Sequence, residues 1–320
     1  MVFMAKGVLL VGEPMGLFIA QQEGPLDRVT GYWLAVAGAE FNVAVGLARL
    51  GHPVSYMTKL GNDPFGKLIT NTMEDNHIST EFITYSDERP TGFMLKSRVS
   101  EGDPQIFYFR KNSAASTLSR ADVDAIDFSQ YSCLHLTGIL PPLSDSCRDV
   151  SFYLVEKARE HGLTVTFDPN LRRQLWPSDE VMADTLNALA AKADIVFPGE
   201  GEGQYLCGST DPDAISDFYL GRGAKAVITK VGSKGAYLAT AGGRRLVPGF
   251  RVEKVVDTVG AGDGFAAGVL SALLEGLPLD EAARRGNAIG AIQVMSRGDN
   301  DGLPTRQELD TFMSGGKIER

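Results

Sequence analysis

The sequence predicts an α/β fold, a three-layer sandwich in which helices cover both faces of a mostly parallel central sheet, with a small β lid inserted into it. Three observations predict it: short β-branched apolar runs alternate with helical patterns, two segments break that alternation, and a glycine-rich turn opens an apolar helix near the C-terminus.

The alternation begins with an apolar run at residues 8–11, a helical pattern over 39–50 closed by Gly51, and a run at 55–59. Buried strands are expected again at 133–136, 164–167, 195–197 and 226–229, with helices at 145–161 and 179–191. Strands that are apolar on both faces belong to a sheet covered on both sides. In the interrupting segments, 16–20 can pair with 32–36, and 93–99 with 105–110 across the turn Ser100-Glu101-Gly102-Asp103-Pro104. Period two puts Ile106, Tyr108 and Arg110 on one face of the last strand, with Phe107 and Phe109 on the other. With no repeat or long linker, residues 1–320 read as a single domain with lid insertions near 13–37 and 91–112.

Composition narrows the function. The chain has 43% hydrophobic residues, enough for a sizeable core, and its 31 Lys and Arg against 40 Asp and Glu give a net charge of -9. That balance argues against nucleic acid and anionic membrane as partners. Cys133, Cys147 and Cys207 lack paired or metal-ligand spacing, which fits a reducing cytoplasm. The apolar run that opens the chain meets Glu13 and Pro14 too soon for a signal peptide or membrane span.

The chemistry concentrates at residues 252–274. A strand at 252–256, the turn Asp257-Thr258-Val259-Gly260-Ala261-Gly262 and a helix from Asp263 make an anion site, the helix burying Phe265, Ala266, Val269, Leu270, Leu273 and Leu274. The amides of Gly260, Ala261 and Gly262 are expected to face a phosphate, and the helix start to keep Asp263 ionised. Taken alone, the pattern also suits an ordinary helix start after a tight connection.

Asp257-Thr258-Val259-Gly260-Ala261-Gly262-Asp263 resembles the C-terminal signature of the ribokinase, or PfkB, carbohydrate kinases. Gly38-Ala39-Glu40-Phe41-Asn42-Val43-Ala44 and Leu60-Gly61-Asn62-Asp63-Pro64-Phe65-Gly66 resemble its N-terminal one, with Ala39 where a second glycine is usual. The resemblance implies a ribokinase-like fold, with Asp263 as catalytic base and Gly260, Ala261 and Gly262 as the anion hole. It also implies ATP near Thr229, Lys230, Gly232, Gly235 and Asn287, Mg²⁺ reached by Glu202 through water, and a K⁺ site at Asp257 with carbonyls near Val259 and after Ser296. The usual asparagine of the magnesium motif is replaced by Gly199. Lid pairing between subunits, and so a homo-oligomer, is implied too.

Tyr108-Phe109-Arg110-Lys111, Asp168-Pro169-Asn170-Leu171-Arg172 and Gly12-Glu13-Pro14 resemble the kinases of 2-keto-3-deoxygluconate within that family. Gly38, Asn42, Phe93, Tyr108, Arg110, Arg172 and Asp299 are then the expected contacts of an acid sugar, the two arginines suiting a carboxylate. A neutral-sugar kinase such as a fructokinase, a non-catalytic sugar-binding regulator and a dinucleotide-dependent oxidoreductase remain as rival readings. Residues 61–67 lack the Ser or Thr that must follow the lysine of a P-loop, residues 221–226 precede a strand instead of following one, and the four histidines form no metal or triad pattern.

Overall fold

The computed structural model describes residues 6–99 and 104–318. The chain opens with strands β1 (Gly7–Val11), β2 (Met15–Glu23) and β3 (Tyr32–Ala37), helix α1 (Ala39–Arg49), strand β4 (Val54–Gly61) and helix α2 (Pro64–Asp75). Strands β5 (Ile83–Ser86), β6 (Phe93–Arg98) and β7 (Ile106–Phe109) and helix α3 (Arg120–Asp124) follow. The middle runs β8 (Tyr131–Thr137), α4 (Asp145–Glu160), β9 (Thr164–Asp168), α5 (Asp179–Ala190), β10 (Ile195–Val196), α6 (Glu200–Leu206) and α7 (Pro212–Leu220). The end is β11 (Ala226–Lys230), β12 (Gly235–Thr240), β13 (Gly243–Pro248), α8 (Ala261–Leu274), α9 (Leu279–Gln293) and α10 (Arg306–Met313).

Nine strands form one sheet in the order β13-β12-β11-β10-β9-β8-β1-β4-β5. It is parallel from β5 to β11 and antiparallel at the β11-β12-β13 edge. All five residues of β1 are buried because both faces of the sheet are covered. One core packs β1 and β4 against α1, α8 and α9, and the other packs β8 and β9 against α4 and α5. The second sheet, β3-β2-β6-β7, pairs β2 with β3 and β6 with β7 antiparallel, but β2 with β6 parallel. The expected turn at 100–104 lies outside the described residues apart from Pro104.

The strand expected at 252–256 does not form. Among the described residues that segment pairs with no strand, and Val255 and Val256 are exposed. It hangs instead on the end of α9, where the amides of Val256 and Asp257 donate to the Val294 carbonyl at 2.7 and 3.3 Å. Gly268 lets α8 and α9 approach closely, since a Cβ there would lie 2.7 Å from the Gly286 Cα of α9.

Candidate active site

The loops beyond the carboxyl ends of β1, β8, β9, β10 and β11 converge with the start of α8, as expected for a ligand site on a parallel sheet. Gly260 begins α8 in the left-handed region, φ 78°, and a Cβ there would strike the Asp299 carbonyl at 2.1 Å. Only glycine lets the chain turn this tightly into the helix. The next residues present Asp263, whose Oδ2 accepts from Asn42 Nδ2 at 2.7 Å and whose Oδ1 accepts from Asn170 Nδ2 at 3.3 Å. Burial pushes the Asp263 carboxyl up to about 6, opposed by the Asn42 hydrogen bond and by Arg172. The group remains mostly ionised at neutral pH, although burial outweighs the helix start that was expected to set its charge.

Two cavities meet at this point. One, of about 730 Å³, lies under the lid and is lined by Gly38, Asn42, Tyr108, Arg110, Arg172 and Asp263 among others. The second, of about 470 Å³, is mostly apolar and runs between the β11–β12 turn and α9. Lys230, Thr258 and Gly262 line both. A Cβ on Gly262 would meet nothing nearer than Lys230 Nζ, at 3.7 Å, so the space above this glycine is open. The amides of Gly262 and Asp263 precede the first helical bond of α8, Gly264 to the Gly260 carbonyl at 2.8 Å, and are free to meet an anion. Ala261 is a correction: its amide donates to the Thr258 carbonyl at 3.3 Å and so turns into the loop.

The larger cavity gathers most of the residues expected to hold a sugar. Arg172 lines it with no carboxylate partner among the described residues; its Nη1 donates only to the Leu171 carbonyl, at 2.9 Å. Arg110 is differently placed. Its Nε donates to Glu13 Oε2 at 2.6 Å, and Nη2 lies 2.5 Å from the same oxygen without an N–H aimed at it, so most of its charge is already answered. Ser113 Oγ donates to the other Glu13 oxygen. Asp299 also lines the cavity but is ion-paired with Lys96 Nζ at 3.1 Å. Phe93 is a second correction. It stacks on Phe109 at 4.7 Å on the outer face of the lid, and the strand's alternation puts Met94 into the cavity in its place.

In the smaller cavity Lys230, Gly232, Gly235 and Asn287 line the wall, with Asn287 Nδ2 donating to the carbonyls of Val247 and Pro248 at 2.9 and 3.1 Å. Thr229 is a third correction: it is fully buried within β11, its hydroxyl has no partner among the described residues, and it lines neither cavity. Lys230 Nζ donates to Asp168 Oδ2 at 2.6 Å. Burial raises the Asp168 carboxyl, while Asp168, Glu202 and Asp263 raise the Lys230 ammonium against its own burial. Three carboxylates around one ammonium keep that lysine charged.

Glu202 lines the larger cavity, and its two oxygens each accept one main-chain N–H, from Leu171 at 2.8 Å and from Gly199 at 2.6 Å. Each oxygen keeps a further lone pair, which suits an outer-shell ligand of Mg²⁺. The expected K⁺ site fits poorly. Asp257 is ion-paired with Lys96 Nζ at 3.0 Å, and the carbonyls of Val259 and Gly298 both accept from Gln293 Nε2, at 3.3 and 2.9 Å.

Four contributors were not singled out from the sequence. Asp168 and Asn170 stood only within a motif, as did Glu13; the positive φ of Asn170, 41°, directly after a proline is a backbone feature that the letters do not display. Lys96 carries no motif at all.

A profile described as pfkB family carbohydrate kinase matches residues 5–306. The 2-dehydro-3-deoxygluconokinase of Bacillus subtilis (strain 168) is 48% identical over 304 residues, covering 95% of this chain and 94% of that protein. An Escherichia coli structure assigned provisionally as a ribokinase II, solved with ATP and Mg²⁺, superposes with a TM-score of 0.88 at 26% identity, covering 97% of this chain and 99% of that one. A Vibrio cholerae fructokinase solved with fructose, ADP and potassium ion superposes with a TM-score of 0.85 at 25% identity, covering 96% and 98%.

Proposed function

Because the chain belongs to the pfkB family of carbohydrate kinases, we infer that it transfers the γ-phosphoryl group of ATP to the primary hydroxyl of 2-dehydro-3-deoxygluconate. The observation that carries this reading is Asp263, held by Asn42 and Asn170 at the junction of two cavities, one sized for a sugar and one with an apolar wall for a base. The identity to the Bacillus enzyme supports the acid sugar, and so does Arg172, a guanidinium in the sugar cavity with no carboxylate partner among the described residues.

In the reaction, Asp263 takes the hydroxyl proton as the sugar oxygen bonds to the γ-phosphorus, and the bond to the β,γ-bridging oxygen breaks to release ADP. The amides of Gly262 and Asp263, with Lys230, stabilise charge on the transferred group. Gly38 and Asn42 position the sugar from below and Tyr108 from the lid, while Asn287, Gly232 and Gly235 shape the nucleotide wall. Mg²⁺, when bound, neutralises phosphate charge, and Glu202 would hold it through water.

The outer lid face exposes Leu34, Phe107 and Phe109 by about half each, which supports a homo-oligomer joined through the lids. Three free cysteines, two of them buried, favour a reducing cytosol.

A coupled assay with ATP, Mg²⁺ and 2-dehydro-3-deoxygluconate, gluconate, fructose and ribose tests the reading. We expect kcat/KM for the first to exceed that for fructose by about 100-fold or more. A preference for fructose would make this a neutral-sugar kinase, and no turnover of any sugar would make it a binding protein.

A further inference from the structure

Asp257 and Asp299 face each other across one ammonium, that of Lys96, at 3.0 and 3.1 Å. The lysine comes from lid strand β6 and is almost fully buried, so its stem crosses from the small sheet to the foot of the turn that carries Asp263. The carbonyls of Val259 and Gly298, which could otherwise turn to a metal ion, are drawn together by the buried amide of Gln293. Asp257 and both carbonyls named for a monovalent cation are therefore already answered within this chain, Asp257 Oδ1 by the Val259 amide at 3.0 Å and the others by Lys96 and Gln293.

We propose that the Lys96 ammonium is a built-in cation that braces the 257–262 turn, so that this kinase works without potassium. An ammonium group and a potassium ion carry the same charge in nearly the same volume, and two carboxylates held this close need such a charge between them. Because Lys96 rides on the lid, the brace also ties the phosphate turn to the lid's position over the sugar.

The test compares wild type, Lys96→Met and Lys96→Ala in potassium and tetramethylammonium chloride at equal ionic strength, reading both sugar-kinase rate and Tm. The rate arm rests on the proposed activity; the melting arm needs no substrate, so the two failures are distinguishable. Wild type should change rate by less than about twofold between the salts, and Lys96→Ala should lose about tenfold or more in tetramethylammonium. Potassium should restore most of that rate and raise the Tm of Lys96→Ala by about 3 °C or more, through the groove of about 650 Å³ that Lys96 and Asp257 line. Activation of the wild type by potassium of about fivefold or more would overturn the proposal. So would a folded Lys96→Met or Lys96→Ala whose rate and Tm ignore potassium. If neither variant folds, the wild-type arm alone decides.

Discussion

Replacing Asp263 by Asn should make the protein slower and more stable at once. Burial raises this carboxyl from 3.8 to about 6, so ionising it in the folded protein opposes folding. An acid with a raised folded value costs stability in full above that value, and the cost disappears as pH falls below the unfolded value. A shift of about two units is worth about 3 kcal/mol at pH 8, falling to about half of that at pH 5. The side chain is deep in the fold yet open on one side to the cleft, and cleft water reduces the figure to about 2 kcal/mol. An asparagine also offers one acceptor to the two amides of Asn42 and Asn170, which subtracts about 1 kcal/mol without changing the pH dependence. Urea unfolding of both proteins from pH 5 to 8 reads the difference, and turnover should fall by about 100-fold to 10,000-fold. A stability gap that stays flat across that range would refute the argument that Asp263 is buried as an anion. Undiminished turnover would remove it as the base.

Arg172→Ala should raise KM for the acid sugar by about 10-fold to 100-fold and leave Tm nearly unchanged. Arg110→Ala should instead lower stability by about 3 kcal/mol or more, because it strands Glu13 as a buried carboxylate, and thermal melting separates the two. Gly262→Ala has room to fold but puts a methyl where phosphate must approach, so its Tm should hold while kcat/KM for ATP falls about tenfold or more. Phe93→Leu should leave sugar KM within about twofold, whereas Met94→Ala should change it by more, as steady-state kinetics will show.

The sheet was legible because parallel strands buried on both faces leave uninterrupted apolar runs, as in β1 and β9. The antiparallel β12–β13 edge was not, since Arg244 and Arg245 break its apolar character on an exposed strand. The 252–256 segment misled for the opposite reason: its valines have strand propensity, but among the described residues it joins no ladder and its end bonds to α9 instead. Asp263, Asn42 and Arg172, which the fold brings to one cavity, could be named because they sit in or beside motifs. Phe93 failed by one residue, which on a strand turns the side chain to the other face. Lys96 could not be read, because its partners lie 161 and 203 residues away and only the docking of the lid brings them together.

The charges of the cleft are matched in a way that couples substrate to base. Glu13 is answered by Arg110, Asp168 by Lys230, and Asp257 and Asp299 by Lys96. Among the described residues this leaves Arg172 without a carboxylate partner and Glu202 and Asp263 held by neutral N–H groups, and Arg172, ahead of Lys230, is the larger of two charges that pull the Asp263 carboxyl down. A substrate carboxylate docking on Arg172 cancels that pull, so Asp263 becomes a stronger base when the acid sugar arrives. The pH profile of kcat should then break at a higher pH than that of kcat/KM with the acid sugar. Arg172→Ala should raise the break in kcat/KM and bring the two profiles together. Profiles that coincide in the wild type would mean that the carboxylate is recognised away from Arg172.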